Sequence, residues 1–269
     1  MNKTKRLELR NIHKTFEAGT VNENHVLKGI NLVLNAGDFV TVIGGNGAGK
    51  STLLNTIAGA VIPESGSVAI DGVDITTKST AKRSQYISHV FQDPKMGTAT
   101  RLTIQENLAL ANKRGLKRGL SRGVKGVDKE MMREKLATLG LGLEDRLTTD
   151  VAYLSGGQRQ ALTLLMATLR YPQLLLLDEH TAALDPKTSE MVLALTEEIV
   201  TEQRLTTLMI THNMEDALRY GNRIIMLHQG QIILDVAGED KKNMSVMDLL
   251  EMFKRESGEA ITSDAMLLS

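Results

Sequence analysis

Two adjacent carboxylates, Asp178 and Glu179, follow four consecutive leucines in the stretch LLLLDEHTAALD, residues 174–185. The leucine run predicts a buried strand that ends at the acidic pair. Buried charges without partners are costly, so the pair needs a cation, a hydrogen-bond network or a part in a reaction. On this stretch alone, acids that cap the following helix explain the pattern equally well.

A glycine-rich stretch upstream has the residue types of a phosphate-binding loop. It reads GGNGAGKS, fits the pattern G-x-x-x-x-G-K-[ST], and lies between the apolar run FVTVIG and a helical pattern. In such a loop backbone N–H groups turn toward phosphate oxygens, the lysine reaches the β- and γ-phosphates, and the hydroxyl binds Mg²⁺. A glycine-rich turn before an ordinary helix is the alternative, which the flanking elements disfavour. The predicted phosphate-binding residues are Gly44, Asn46, Gly47, Ala48, Gly49, Lys50, Ser51 and Thr52.

The phosphate loop supplies a partner for the acidic pair. A buried parallel strand beside it would deliver Asp178 to Mg²⁺, directly or through water. Glu179 would lie one residue further, facing the γ-phosphate and a water within hydrogen-bond reach, where it could act as general base.

The elements that must position these residues alternate between strands and helices, which predicts an α/β fold with a mainly parallel sheet. Residues 6–16, 26–37 and 39–44 have strand patterns, and 65–75 predict a hairpin with Asp71-Gly72 as its turn. A helical stretch follows, then the leucine strand. The later predictions are a helix over 187–202, the strand TTLMI, a helix over 213–220, the hairpin RIIMLHQGQIILD and a terminal helix around VMDLLEMFKRE.

Composition restricts the class of protein. The chain has 269 residues, 42% hydrophobic and 24% charged, with formal net charge +0 and no Cys. A disulfide framework and a thiolate metal site are excluded, which suits a reducing cytosol. The balanced charge gives no electrostatic reason for binding nucleic acid. Neither a signal-peptide core nor a membrane-spanning apolar run is evident, so we expect another chain to hold the protein at any membrane where it acts.

Three further motifs carry a family resemblance. The stretch LSGGQRQ (residues 154–160) precedes the leucine strand, VFQDP contains Gln92 and MITHN contains His212. With the phosphate loop, these motifs resemble those of ABC transporter nucleotide-binding subunits over residues 5 to about 240. The resemblance implies the ABC ATPase fold, in which a P-loop NTPase core carries an N-terminal antiparallel β subdomain and an inserted α-helical subdomain. We expect a single domain, 1–269, with the helical subdomain at about 100–165 and a helical tail at 241–269.

The resemblance also implies roles for individual residues, with ATP and Mg²⁺ as cofactors. Phe16 matches the aromatic residue that stacks on adenine, although a core Phe at a strand end is the alternative. Gln92 matches the glutamine that touches Mg²⁺ or the attacking water, and His212 the histidine that contacts the γ-phosphate and positions Glu179. The remaining matches face a second copy of the chain in a dimer with two composite sites: Ser155, Gly156 and Gly157 of the signature turn, and Asp185.

Two features do not follow from the family pattern. His180 occupies a position where many members have Pro, which indicates a particular subfamily; we expect no catalytic role for it. The basic stretch KRGLKRGLSRGVK (residues 113–125) could face anionic lipid or an acidic partner, but glycines interrupt it and a solvated surface is favoured. The other histidines, at 13, 25, 89 and 228, are expected to be structural.

The resemblance therefore implies an ATPase that drives a separate membrane permease at the cytoplasmic face of the cell membrane. A compact cassette favours a bacterial importer of an amino-acid-like solute, working with a solute-binding protein; a lipoprotein or peptide exporter is the alternative. A non-transport ABC ATPase acting on ribosomes or DNA is disfavoured because duplicated cassettes, a long coiled coil and excess positive charge are absent from the sequence. A P-loop kinase or GTPase does not explain LSGGQ.

Overall fold

The structure is a computed structural model that describes residues 4–116 and 126–257. The chain forms two compact units, the first comprising residues up to Arg83 and from Arg204 onward, the second Ser84–Gln203. The elements are, in chain order, β1 (Lys5–Phe16), β2 (Asn24–Asn35), β3 (Phe39–Ile43), α1 (Lys50–Ala58), β4 (Ser65–Ile70), β5 (Val73–Asp74), α2 (Thr80–Arg83), β6 (Ile87–Val90), α3 (Ile104–Asn112), α4 (Gly126–Ala137), α5 (Gly156–Thr168), β7 (Leu174–Asp178), α6 (Pro186–Glu202), β8 (Thr207–Ile210), α7 (Met214–Arg219), β9 (Arg223–His228), β10 (Gln231–Ala237), α8 (Glu239–Lys242) and α9 (Val246–Ser257).

An antiparallel sheet in the order β2-β1-β4-β5 forms part of the first unit. Leu7 and Leu9 of β1 are buried and pair with Leu34 and Leu32 of β2. This alternation of apolar and polar residues buries one face of the sheet. The predicted hairpin over 65–75 is confirmed, since β4 and β5 pair antiparallel across a turn with positive φ at both central residues.

A second sheet in the first unit brings the loops that follow three parallel strands to one edge. β9, β3 and β8 are parallel neighbours, and β10 pairs antiparallel with β9. All five residues of β3 are buried, as expected for a parallel strand covered on both faces. Val42 lies opposite both Ile210 of β8 and Ile225 of β9, so the carboxyl ends of the three strands lie at one edge.

The helix that follows the phosphate loop is held at its far end by a buried arginine. Arg83 is fully buried and donates to the carbonyls of Thr56 and Ile57, each at 2.7 Å, in the last turn of α1. It also donates to the carbonyls of Lys78 and Thr76. A cation at a helix C-terminus complements the helix dipole, and here it also satisfies carbonyls that lack helical partners.

The C-terminal helix α9 completes the core of the first unit. Leu249 and Phe253 are buried in a cluster with Ile43 of β3, Met226 of β9 and neighbouring apolar residues. The predicted terminal helix is confirmed as far as Ser257, and the remainder of the predicted tail, 258–269, lies outside the described residues.

The second unit combines one parallel strand pair, β6 and β7, with the helices α3 to α6. Sequence reasoning did not identify β6, because Ser88 and His89 interrupt its apolar pattern. The Ser88 hydroxyl donates to the carbonyl of Ala167 at 2.6 Å, and the His89 ring packs against the Phe91 ring at a tilt of 36°. Of the basic stretch, residues 117–125 lie outside the described part of the chain.

Candidate nucleotide-binding site

The predicted site residues are divided between the two units. Those in the first unit are Phe16, the phosphate loop from Gly44 to Thr52, and His212; those in the second are Gln92, Ser155, Gly156, Gly157, Asp178, Glu179 and Asp185.

The phosphate loop turns sharply from β3 into α1. Gly44, Gly47 and Gly49 have φ values of 154°, 77° and 102°, and the Ala48 N–H donates to the carbonyl of Gly45 at 3.1 Å. Gly49 caps α1 without a side-chain hydrogen bond, so no side chain covers the first N–H groups of the helix at this position. Such N–H groups, together with the positive end of the helix dipole, favour an anion.

The turn between β9 and β10 holds the loop from outside. The Gly230 N–H donates to the carbonyl of Ala48 at 3.1 Å, and its own carbonyl accepts from the N–H of Lys28 in β2 at 2.9 Å. Gly230 has a φ of 84°, and a Cβ there would lie 2.3 Å from the Val26 carbonyl oxygen. The same kind of approach occurs at Gly44, where a Cβ would lie 2.3 Å from the Leu227 carbonyl oxygen. The hairpin was predicted, but the role of Gly230 was not, because only the fold brings residues 28, 48 and 230 together.

Lys50 lies inside the loop. Its side chain is 8% exposed, and Nζ donates to the carbonyls of Gly44 at 2.7 Å and Gly45 at 3.3 Å. The ammonium is thus oriented by the backbone of the loop it belongs to, while Asn46, Gly47 and Ser51 are exposed.

The other two predicted residues of the first unit lie at strand ends. Phe16 is 38% exposed at the end of β1, with Lys14 Nζ 5.2 Å from the ring centroid. His212 follows β8, and the Thr211 N–H donates to the Val42 carbonyl at 3.1 Å. Because β3 and β8 are parallel, His212 leaves the sheet at the edge from which the phosphate loop begins.

In the second unit, Gln92 and the acidic pair lie at the carboxyl ends of two neighbouring strands, β6 and β7. β6 and β7 are parallel, with Val90 opposite Leu177, so the residues after both strands emerge on the same side. Glu179 has a φ of 45°, in the left-handed region. Such a conformation costs about 1–3 kcal/mol for a residue with a side chain and persists only where the surroundings enforce it.

His180 anchors the backbone directly after Glu179. Its ring is 2% exposed, and Nε2 lies 3.0 Å from the Thr196 hydroxyl of α6. That hydroxyl donates to the Val192 carbonyl at 2.7 Å, so Nε2 of His180 is the donor to Thr196. Burial lowers the pKa of His180 to about 4, which keeps the imidazole neutral near pH 7.

The signature turn (Ser155, Gly156 and Gly157) begins α5. Ser155 and Gln158 form a capping box, in which each side chain accepts from the other residue's N–H at 3.2 Å. Arg159 is buried and donates to the carbonyls of Val151, Ala152 and Leu154, which holds the segment that leads into the turn. The sequence indicates no role for Arg159, since its position within LSGGQRQ does not show which carbonyls it meets.

Asp185 caps α6. It is exposed, and its Oδ1 accepts from the Thr188 N–H at 3.1 Å. The hydrogen bonds from the Thr188 hydroxyl and backbone hold the pKa of Asp185 below its usual range.

A family model described as ABC transporter matches residues 27–182, more than half of the chain. The chain belongs to the ABC transporter family. This ABC protein is 44% identical to the tyrosine transport ATP-binding protein of Clostridioides difficile (strain R20291), over 92% of the chain and 98% of that protein. It is 36% identical to the thiamine import ATP-binding protein of Photorhabdus laumondii, over 85% of the chain and 89% of that protein.

Among solved structures, it is similar to the dimeric ATP-binding cassette MJ0796 in a post-hydrolysis state bound to ADP and Pi. The TM-score is 0.72 with 31% identity, over 86% of the chain and 98% of that structure. The predicted ABC ATPase fold is therefore confirmed. The protein is the ATP-binding subunit of an ABC transporter and an ATP hydrolase.

Replacing Gly230 should weaken nucleotide binding. In Gly230→Ala the new Cβ meets the Val26 carbonyl, so the turn must move and its hydrogen bond to Ala48 is disturbed. We expect ATP to bind about tenfold more weakly, equivalent to ~1.4 kcal/mol, in a titration with a fluorescent ATP analogue.

The matched control is Gly72→Ala. Gly72 has a similar φ, 76°, but a Cβ there meets nothing within 4 Å. Both variants carry the strain of a left-handed backbone, about 1–2 kcal/mol for a residue with a Cβ, and only Gly230→Ala carries the collision as well. Equal affinities in the two variants would contradict the role of the turn.

His180 should make the protein sensitive to acid. Its folded pKa of about 4 lies below the ordinary value of 6.5, so between these values the unfolded chain binds a proton that the folded chain does not. Stability is therefore lost as pH falls from 6.5 toward 4, by about 2 kcal/mol at pH 5. We expect His180→Gln to reduce the loss of unfolding free energy between pH 7 and pH 5, measured with urea.

The control is His25→Gln, at an exposed ring, which should show the same loss of unfolding free energy as the wild type. An unchanged loss in His180→Gln would disprove the assignment.

Proposed function

We propose that this chain is the ATPase subunit of a bacterial importer for an amino-acid-like solute, and that it hydrolyses ATP at the interface of two copies. The observation that carries the proposal is the folded phosphate loop, whose lysine and backbone are held by hydrogen bonds within the loop. Similarity to the tyrosine transport protein over 98% of that protein's length supports the solute class.

Residues of the first unit bind the nucleotide in this proposal. Backbone N–H groups of the phosphate loop and the start of α1 bind the phosphates, and Lys50 reaches the β- and γ-phosphates. Phe16 stacks on adenine with its exposed ring. His212 contacts the γ-phosphate from the carboxyl end of β8.

Residues of the second unit supply the acid–base chemistry. Glu179 accepts a proton from the attacking water or orients it, and its backbone conformation is fixed by the anchored His180. Ser51, Asp178 and Gln92 offer hydroxyl, carboxylate and amide oxygens, the hard donors that fit Mg²⁺. When bound, Mg²⁺ would neutralise charge on the phosphates.

A second copy of the chain completes each site in this proposal. Ser155, Gly156 and Asp185 are exposed at helix N-termini, where a hydroxyl and N–H groups can meet an anion held by another chain. The similar cassette MJ0796 is described as a dimer bound to ADP and Pi.

The transport partners are an integral membrane permease and, for import, an extracytoplasmic solute-binding protein. No helix within residues 4–116 and 126–257 has the length and apolar character to cross a bilayer. We propose peripheral attachment to the cytoplasmic face of the membrane through the permease, with no nucleic acid as a partner; the similarity to transport and import ATP-binding proteins supports this attachment. The thiamine import relative supports import over the alternative, a lipoprotein or peptide exporter.

Removing the proposed base should stop turnover and leave binding intact. We expect Glu179→Gln to bind ATP, to hydrolyse it at least about 100-fold more slowly, because a general base contributes at least that factor, and to accumulate as a closed dimer. Phosphate release and size-exclusion chromatography with ATP measure the two effects. Glu198→Gln, an exposed carboxylate of α6, should behave as wild type. Wild-type turnover by Glu179→Gln would refute the assignment.

The transport proposal is tested by capture of partners. Tagged Glu179→Gln is expressed in its native cell, supplied with ATP, solubilised in mild detergent and purified beside an untagged strain. We expect a polytopic membrane protein, and a solute-binding protein with it supports import. Ribosomes or nucleic acid without a membrane protein would show that the ATPase serves a different machine.

A further inference from the structure

Thr188, the third residue of α6, interacts with Asp185 through its backbone and through its hydroxyl. Its backbone N–H donates to Asp185 Oδ1 at 3.1 Å, and its hydroxyl helps to lower the pKa of the same carboxylate. The side chain is half-buried, so one part of it faces the interior of the second unit.

The methyl group of Thr188 lies against the signature turn. A Cβ added to Gly157 would lie 2.2 Å from Thr188 Cγ2, so the methyl group already occupies the space beside the glycine. Two further side chains lie close to this turn. A Cβ added to Gly156 would lie 3.3 Å from a side-chain atom of Leu184, and one added to Gly157 would lie 3.7 Å from a side-chain atom of Met191. A stripe of α6 and the residues before it therefore packs on the start of α5.

We propose that Thr188 is a positioning residue that holds the signature turn and Asp185 at a fixed spacing. The inference rests on the proposed function, in which both motifs face the second copy of the chain. Of these residues, Gly157 is buried against Thr188, while Ser155, Gly156 and Asp185 are exposed. A displacement of the signature turn by the partner's ATP is thereby passed to Asp185 through one side chain.

The two branches of Thr188 can be removed separately. Thr188→Val keeps the methyl contact with Gly157 and loses the hydroxyl; Thr188→Ser keeps the hydroxyl and loses the methyl group. Because the residue acts on dimer geometry and not on the phosphate loop, we expect kcat to fall about tenfold in Thr188→Val, in line with the loss of a polar interaction with a charged group. ATP binding by the single chain should stay within about twofold of wild type, since affinity depends on contacts made to the nucleotide.

A pair of variants tests the contact directly. Gly157→Ala points its methyl group at Thr188 Cγ2, and Gly157 does not have a left-handed φ, so the collision is the main cost. We expect Gly157→Ala to lose ATPase activity and ATP-dependent dimerisation. The double variant Gly157→Ala with Thr188→Ser removes the methyl group that collides and should recover at least about tenfold of the lost activity, as coupled neighbours do.

Three outcomes decide between the hypotheses. Recovery in the double variant, with unchanged thermal midpoints and single-chain ATP binding, supports the inference. Wild-type kcat in Thr188→Val together with no recovery in the double variant overturns the inference about Thr188. In that case, normal ATP-dependent dimerisation of the wild-type chain still supports the proposed function. A wild-type chain that hydrolyses ATP without dimerising overturns both.

Discussion

The first unit of this cassette depends on a close approach of three backbone segments. The phosphate loop, strand β2 and the turn between β9 and β10 meet through Ala48, Lys28 and Gly230, and both hydrogen bonds of that contact involve backbone groups only. Neither Gly230 nor Gly44 has space for a Cβ. A loop that must present its own N–H groups to phosphate cannot also be held by bulky side chains, so its support comes from neighbouring backbone.

Backbone carbonyl groups also fix both ends of α1. At its start, Lys50 bonds to carbonyls of the loop, and at its far end Arg83 satisfies the carbonyls of the last turn. Both cations are buried, and both are compensated by carbonyl oxygens at short distances, as buried charges require. The helix is thus fixed along its length by contacts within the first unit, which preserves the direction of its dipole toward the loop.

Much of this architecture could be predicted from the sequence, for identifiable reasons. Elements with a strong period or an unbroken apolar run, such as β3, α6 and β7, are visible because local pattern and burial agree. Strand β6 is not evident from the sequence because Ser88 and His89 interrupt its apolar pattern, and the Ser88 hydroxyl bonds to a carbonyl outside the strand, that of Ala167. The phosphate loop and LSGGQ were visible as local motifs, whereas Gly230, Arg159 and Thr188 act through contacts between distant segments or across helices, which no local pattern encodes. The roles of Lys50, Ser51, Asp178 and Glu179 follow from the phosphate-loop motif and the strand that ends at the acidic pair. The roles of the other predicted site residues come from the family resemblance.

The unusual histidine after the acidic pair follows from the backbone at Glu179. A proline at position 180 would favour an extended conformation for the residue before it, with negative φ. Glu179 instead has a φ of 45°, so the commoner proline would work against the conformation observed here. Histidine does not impose that restriction, and its buried ring, bonded to Thr196, holds the backbone from the side-chain end. The rigidity that proline supplies by restricting one torsion is supplied here by tertiary packing on α6, and the cost is a buried imidazole that must remain neutral.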